Sequence, residues 1–483
     1  MRNNRGEKNS LLSGLGWSYA ERLLSQLVSL LVSIVLARLL TPDDYGTVAI
    51  VTVFITIGDA LVNGGFGNAL VQKKDADDLD FHSIWWVSLG VSVVLYFALF
   101  FVAPILAEMY EAPVLVPVIR VMSIKFIFSA LNSVQSAYVQ KNMLFRFFFF
   151  STVGATLFSA VVGIVMAFCG CGVWALIAQY LTSSVVSTVI LFCAIAWKPR
   201  FRFSLERVKT LWGFGAKVLG ATLVYTILDN IRTLIVGKRF STDDLAYYNQ
   251  GQKFPALLVT DVVGSVGKVL YPELSKKQED LLQVKELMRK AIQLSAYALT
   301  PMLFGLLAVS DTFVRLILTE KWIPCVPFMQ IMCLGYCTRS LSAIFQKGLL
   351  SLGKSALNLI HEITTSSVTI MLLLIAVFAF NSVALIAWSY VAVSLIDIGL
   401  YGYWCHKHLQ YRYREMIADY LPSLLLSVIM AGGVMLVGLL PVGNVWKLLL
   451  QIFTGVGVYI GMSAVLKVKP FVYLFGNVLN KFK

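Results

Sequence analysis

Residues 80–108 read DFHSIWWVSLGVSVVLYFALFFVAPILAE. Between Asp80 and Glu108 there is no Asp, Glu, Lys or Arg. A helix needs roughly twenty mostly apolar residues to cross the hydrocarbon core of a bilayer, so this stretch reads as a membrane span with length to spare. Runs of this kind recur about fourteen times. They lie at 11–40, 43–71, 80–108, 113–140, 144–169, 172–197, 210–238, 243–271, 288–318, 324–352, 355–380, 382–405, 420–440 and 445–467. The connectors are too short to hold a soluble domain. The expected fold is an all-α polytopic membrane protein.

Composition agrees. Of 483 residues, 58% are hydrophobic and 14% charged, against about 25% charged in soluble domains. A formal charge of +14 on a soluble protein would point to nucleic acid. Here most Lys and Arg sit in short loops, so topology accounts for them and no nucleic-acid partner is implied. The apolar run from Leu11 is long enough to span and carries no small-residue cleavage site, so it is expected to stay as a helix. Seven irregularly spaced cysteines argue against a disulfide framework. Cys169-Gly170-Cys171 reads as small-residue packing at a helix turn.

Charge sets the orientation. One set of loops carries Arg2, Arg5, Lys73, Lys141, Arg146, Arg200, Arg202, Arg207, Lys276, Lys277, Lys354, Lys407 and Arg412; the opposite set holds mainly Lys238, Arg239 and Lys321. Both termini are therefore expected in the cytoplasm, which requires an even number of spans. Residues 275–290 (SKKQEDLLQVKELMRK) place Leu281, Val284, Leu287 and Met288 on one helical face. This is either an interfacial helix between two halves or a polar extension of the next span.

The chain also repeats. RLLTPDDYG at 38–46 joins spans one and two, and KRFSTDDLAY at 238–247 joins spans seven and eight. Gly14 and Gly16 precede the first at nearly the offset at which Gly213 and Gly215 precede the second. Six spans fill each repeat in the same orientation, which gives two pseudo-symmetric lobes, a transporter architecture. The expected divisions are 1–209, 210–410 and 411–483, the last holding two further spans and a tail. Thr41-Pro42-Asp43-Asp44 reads as a helix N-cap with acids against the dipole, and Thr242-Asp243-Asp244 is similar. A metal-dependent glycosyl-transfer site is the other reading of these acids.

Ionisable side chains at bilayer depth cost roughly 2.5–3.5 kcal/mol or more and are tolerated beside a partner or a wet cavity. The candidates are Glu21, Arg22, Lys125, Lys217, Asp229, Arg232, Lys253, Asp261, Lys268, Arg339 and Lys347, with Asp59 and Asp397 nearer to lone. Asp229 and Arg232 stand three apart and can pair on one helix face. Arg22, Lys217 and Lys268 near a boundary can snorkel to headgroups. Cations outnumber acids, which suits a water-filled cavity for an anionic cargo. Arg22, Lys217, Arg232, Lys253, Arg339 and Lys347 are the candidate binding residues, chosen for depth and for presence in both lobes. Arg presents a planar fork to phosphate oxygens and Lys a point charge. Tyr19, Trp212, Tyr225, Tyr247, Tyr248 and Tyr336 are candidates to line it for sugar faces, or are interface anchors.

Further motifs carry a family resemblance. They are Ser13-Gly14-Leu15-Gly16-Trp17-Ser18, VLARLLTPDDYG at 35–46, GFGNALVQK at 65–73 and EKWIPCVP at 320–327. Together they resemble the Wzx-type polysaccharide transporter family, on its colanic-acid and lipopolysaccharide-repeat flippase branch, within the multidrug/oligosaccharidyl-lipid/polysaccharide (MOP) superfamily. The resemblance covers essentially the whole chain. It implies fourteen helices in two MATE-like lobes around a central cationic cavity in a bacterial cytoplasmic membrane. It further implies an undecaprenyl-pyrophosphate-linked oligosaccharide as cargo, flipped between leaflets by alternating access for exopolysaccharide, capsule or lipopolysaccharide biosynthesis. Membrane lipids, and polymerase and chain-length proteins, are the partners it implies. No cofactor, catalytic residue or metal is needed. No nucleotide-binding loop of the Gly-x-x-x-x-Gly-Lys-Ser/Thr type is present, so energy would come from an H+ or Na+ gradient or from consumption of the product. Asp229, Asp261 and Asp397 are the candidates for ion coupling. The nearest rival is a MATE-type ion-coupled multidrug exporter, whose organic cations fit poorly beside buried Lys and Arg. A polytopic polymerase or ligase would need a sizeable outer loop, and every predicted outer loop is short.

Overall fold

The computed structural model describes residues 2–63, 65–73 and 75–473, and all regular structure among them is helical. The first nine α-helices are α1 (Arg2–Leu39), α2 (Pro42–Asn63), α3 (Phe66–Gln72), α4 (Asp78–Met109), α5 (Leu115–Met122), α6 (Lys125–Lys141), α7 (Phe145–Phe168), α8 (Val173–Ala194) and α9 (Leu205–Arg239). They are followed by α10 (Thr242–Lys276), α11 (Leu281–Phe313), α12 (Val326–Cys337), α13 (Arg339–Ser351), α14 (Ser355–Leu374), α15 (Val383–Leu409), α16 (Tyr413–Gly438) and α17 (Asn444–Val465). Thirteen spans among the described residues are long and apolar enough to cross a membrane. The remaining expected span, 324–352, is present as two half-length helices, α12 and α13, which meet at Thr338. The span count of about fourteen therefore holds.

Local chemistry sets the helix starts. At α2, Thr41 N–H and Oγ1 both donate to Asp44 Oδ2, at 2.9 and 2.7 Å, and Asp44 N–H donates back to Thr41 Oγ1 at 3.3 Å. Ser241 and Asp244 repeat the arrangement at α10, with Ser241 Oγ 2.8 Å from Asp244 Oδ2 and Asp244 N–H 3.0 Å from Ser241 Oγ. The cap there is Ser241, one residue earlier than expected, and Thr242 stands where Pro42 does. The acids thus act as reciprocal caps, which satisfy backbone donors that a helix start leaves open. Asp77 forms a capping box with Asp80 at α4. Asp280 accepts from Leu282 N–H and Gln283 N–H and starts α11. Residues 281–290 consequently continue into the next span, and the interfacial-helix reading falls away. Val284 and Met288 are buried on the inner face of that extension.

The chain divides into two compact units, Met1–Ala246 and Tyr247–Lys483. In the first, α2 packs on α4, α5, α6, α8 and α9, while α1 lies along α7. By sequence repeat α9 opens the second half; by packing it belongs with the first, against α2, α3 and α4. Glycines make that seam close. A Cβ on Gly65 would stand 2.3 Å from the Gly215 carbonyl oxygen, and one on Gly46 would stand 2.0 Å from that of Thr242. Thr242 Oγ1 also donates to Asp43, and Lys238 Nζ donates to the Met109 carbonyl that ends α4. In the second unit α16 packs on α11 and α17, so the last two helices join this unit. Large apolar side chains such as Phe101, Phe168, Phe378 and Leu439 stay exposed. Protein covers at most half of the most apolar stretch of each span, and such outward apolar surface requires lipid around it.

Candidate functional site

Two spans are interrupted at corresponding places in the two repeats. Span four breaks at Ser123-Ile124, between α5 and α6, and span ten breaks at Thr338, between α12 and α13. A cation opens the second half-helix in each case: Lys125 in α6 and Arg339 in α13. Ser123, Ile124 and Thr338 keep right-handed helical dihedrals, so each span is stepped at a tightened turn rather than unwound.

In the first unit the break borders a cavity of ≈460 Å³, walled by α2, α6 and α8 with Gly67 of α3. Lys125 Nζ lies 2.6 Å from Asp59 Oδ2. The expectation that Asp59 stands nearly alone is corrected by this pair. Asn63 donates to Ser129 Oγ at 2.7 Å and Asn132 to Ser187 Oγ at 3.3 Å. Reasoning from charge alone missed this site, since most of its lining is uncharged. The signal was present in KFIFSALNSVQSAYVQK (125–141), where polar residues at 125, 129, 132, 133, 136 and 140 fall on one helical face.

In the second unit another cavity of ≈460 Å³ lies among α10, α11 and α13, and both Lys268 and Lys347 line it. Lys347 Nζ sits 5.8 Å from the Tyr271 ring centroid, a cation–π distance. Of the six cations chosen from the sequence, Lys347 is the one that reaches a described cavity. Its companion Lys268 was read as a snorkelling side chain. Arg339 lies exposed at the start of α13, and Lys253 is half-buried on α10. Lys217 is exposed and Arg232 half-buried on α9, and Arg22 is exposed on α1. Neither unit by itself gathers the six into one site.

The three carboxylates have separate surroundings. Asp229 is exposed on α9. The side chain of Asp261 lies outside the described residues, as does that of Tyr19. Asp397 on α15 pairs with His361 Nε2 on α14, which corrects its reading as a near-lone acid. His361 is buried and stacks on Tyr401, with ring centroids 3.9 Å apart. A further ionic knot ties α11 to α16: Arg289 reaches both oxygens of Asp419, at 2.6 and 3.0 Å. Gln293 and the Tyr411 hydroxyl donate to the same carboxylate at 2.6 and 2.7 Å. Burial and this bond hold the Tyr411 hydroxyl well above its ordinary pKa. Among the described residues no group of three or more His, Cys, Asp and Glu side chains forms a metal site.

Comparison with known proteins places these features. The teichuronic acid biosynthesis protein TuaB of Bacillus subtilis is 24% identical over 406 residues, which is 82% of this chain and 82% of that protein. The lipopolysaccharide biosynthesis protein WzxC of Escherichia coli is 25% identical over 340 residues, 69% of this chain and 68% of that protein. Among solved structures, the lipid II flippase MurJ in an inward closed conformation matches with a TM-score of 0.74 at 16% identity, covering 94% of this chain and 98% of that one. An inward-facing multidrug resistance MATE family transporter of the MOP superfamily matches with a TM-score of 0.58 at 14% identity, covering 80% of this chain and 96% of that one. The fold is thus one shared by MOP-superfamily transporters. The match that identifies the chain runs over residues 35–327, more than half its length, and makes it a member of the polysaccharide biosynthesis protein family.

Proposed function

We propose that this protein is a flippase for undecaprenyl-pyrophosphate-linked oligosaccharide repeat units. It carries them from the cytoplasmic to the outer leaflet of a bacterial cytoplasmic membrane for surface polysaccharide biosynthesis, with both its termini in the cytoplasm. One observation carries the reading: a polysaccharide biosynthesis family match on the fold of a lipid II flippase. The cations Arg22, Lys217, Arg232, Lys253, Arg339 and Lys347 would meet the pyrophosphate during alternating access, since Arg and Lys are the side chains suited to phosphate oxygens. The lipid is moved without covalent chemistry. An H+ or Na+ gradient is the proposed drive, with Asp229, Asp261 and Asp397 as the carboxylates to test.

The test is headgroup translocation in proteoliposomes with a pyrophosphate-linked oligosaccharide lipid, comparing wild type with Arg339→Ala and Lys253→Ala. Protein-dependent flipping that falls at least tenfold in both folded variants is the expected result. No flipping, together with gradient-driven efflux of an organic cation, would replace the reading with a multidrug exporter. Gradient-dependent flipping that survives neutralisation of all three carboxylates would remove their coupling role.

A further inference from the structure

The cavity between α2, α6 and α8 is polar in a way that the proposed cargo's phosphates do not explain. Its Lys125–Asp59 pair is neutral as a unit, and the rest of the wall is hydroxyl and amide: Asn63, Asn132, Ser133 and Ser183 among others. Four separate helices contribute, α3 through Gly67. Asp59 and Asn63 are one turn apart on α2, and on α8 Ser187 is a helix-face neighbour of both Ser183 and Ser184. Buried polar groups at membrane depth are costly unless something satisfies them. Two acceptors here, Asp59 Oδ1 and Asn132 Oδ1, are buried and receive no hydrogen bond from the protein. Phe128 also lines the wall. At ≈460 Å³ the cavity falls within the ~300–1,000 Å³ usual for small-molecule sites.

These features select a ligand class. A neutral wall gives no advantage to pyrophosphate, and the density of hydroxyls and amides disfavours an apolar chain. Acceptors without donors, beside serine hydroxyls that can both donate and accept, match a polyol. We propose that this cavity is a carbohydrate subsite that holds sugar hydroxyls of the cargo's glycan, apart from the cations that meet its phosphates. This rests on the flippase reading above.

The test uses full-length protein in proteoliposomes and two probes. One is the lipid-linked glycan extracted from the cells that make this protein; the other is the same lipid trimmed enzymatically to its first sugar. Asn132→Leu removes the amide. Ser133→Cys, blocked with a methanethiosulfonate reagent after reconstitution, fills the cavity without burdening folding. Wild type treated with the same reagent controls for native Cys169 and Cys193, which are exposed. The expected result is at least a tenfold loss of flipping for the full glycan, with the trimmed lipid changed less than twofold. Equal loss on both probes, or no loss on either, overturns the subsite while the flippase reading stands. A wild type that flips neither probe overturns the flippase reading and the subsite with it.

Discussion

Lys125 is tolerated inside a span because Asp59 lies 2.6 Å away on another helix. Removing one partner strands the other, which costs about 3–5 kcal/mol when both are fully buried. Here both side chains keep some exposure, 27% and 20%, so Lys125→Met or Asp59→Asn should each cost roughly 1–3 kcal/mol. The double variant should cost less than the sum, and thermal unfolding in detergent measures the coupling. Asp77, outside the spans, gives a pH dependence. Its carboxyl accepts the Asp80 backbone N–H and lies 3.1 Å from Arg207 Nη2, which together hold its pKa below the ordinary value. Its contribution is complete above the ordinary carboxylate pKa and is lost as pH falls through the lowered one. Stability should therefore fall below about pH 4, with a shallower slope in Asp77→Asn. The buried cations were legible in the sequence because ionisable residues stand out in apolar runs. Their partners were not: Asp59 and Lys125 are 66 residues apart, and His361 meets Asp397 only through the packing of α14 on α15. The serine and asparagine wall of the first cavity was hidden for another reason: hydroxyls and amides barely interrupt hydropathy.

At the scale of single elements, most boundaries were readable because their chemistry is local. Thr41 with Asp44 and Ser241 with Asp244 fix the starts of α2 and α10 within four residues of sequence. The breaks in spans four and ten were not readable, since Ser123 and Thr338 resemble any small polar residue in a helix. The seam of α2 and α3 with α9 and α10 depends on glycine. Gly46→Ala forces a Cβ against the Thr242 carbonyl, and such overpacking costs about 1–3 kcal/mol. A Cβ on Gly90 in α4 would meet nothing within 4 Å, so Gly90→Ala should be neutral or stabilising by up to about 1 kcal/mol. The two unfolding midpoints should thus move in opposite directions or only the first should move. Equal downward shifts would show that helix context, not the seam, decides.

The whole molecule consists of two packed units wearing apolar surface outward, and hydropathy was enough to foresee that surface. The membership of α9 was not foreseeable, because a repeat in sequence says which helices are alike and not which ones touch. The last two helices, given a division of their own in sequence, meet the rest of the second unit through α16, which supplies Asp419 and Glu415 to Arg289. A chain cut after Gln410 keeps Arg289 and loses both acids. It should accumulate to a small fraction of the full-length level in membranes, and Arg289→Met should partly restore it; immunoblots of membrane fractions measure both. The same contact sets a schedule for biosynthesis. Arg289 is made 130 residues before Asp419, and at ribosomal speeds of about 5–20 residues per second that separation lasts roughly 6–26 s. For that interval the nascent chain holds a guanidinium whose principal counter-charge has not yet been translated, so the contact that ties α11 to α16 can close only as one of the last steps of folding.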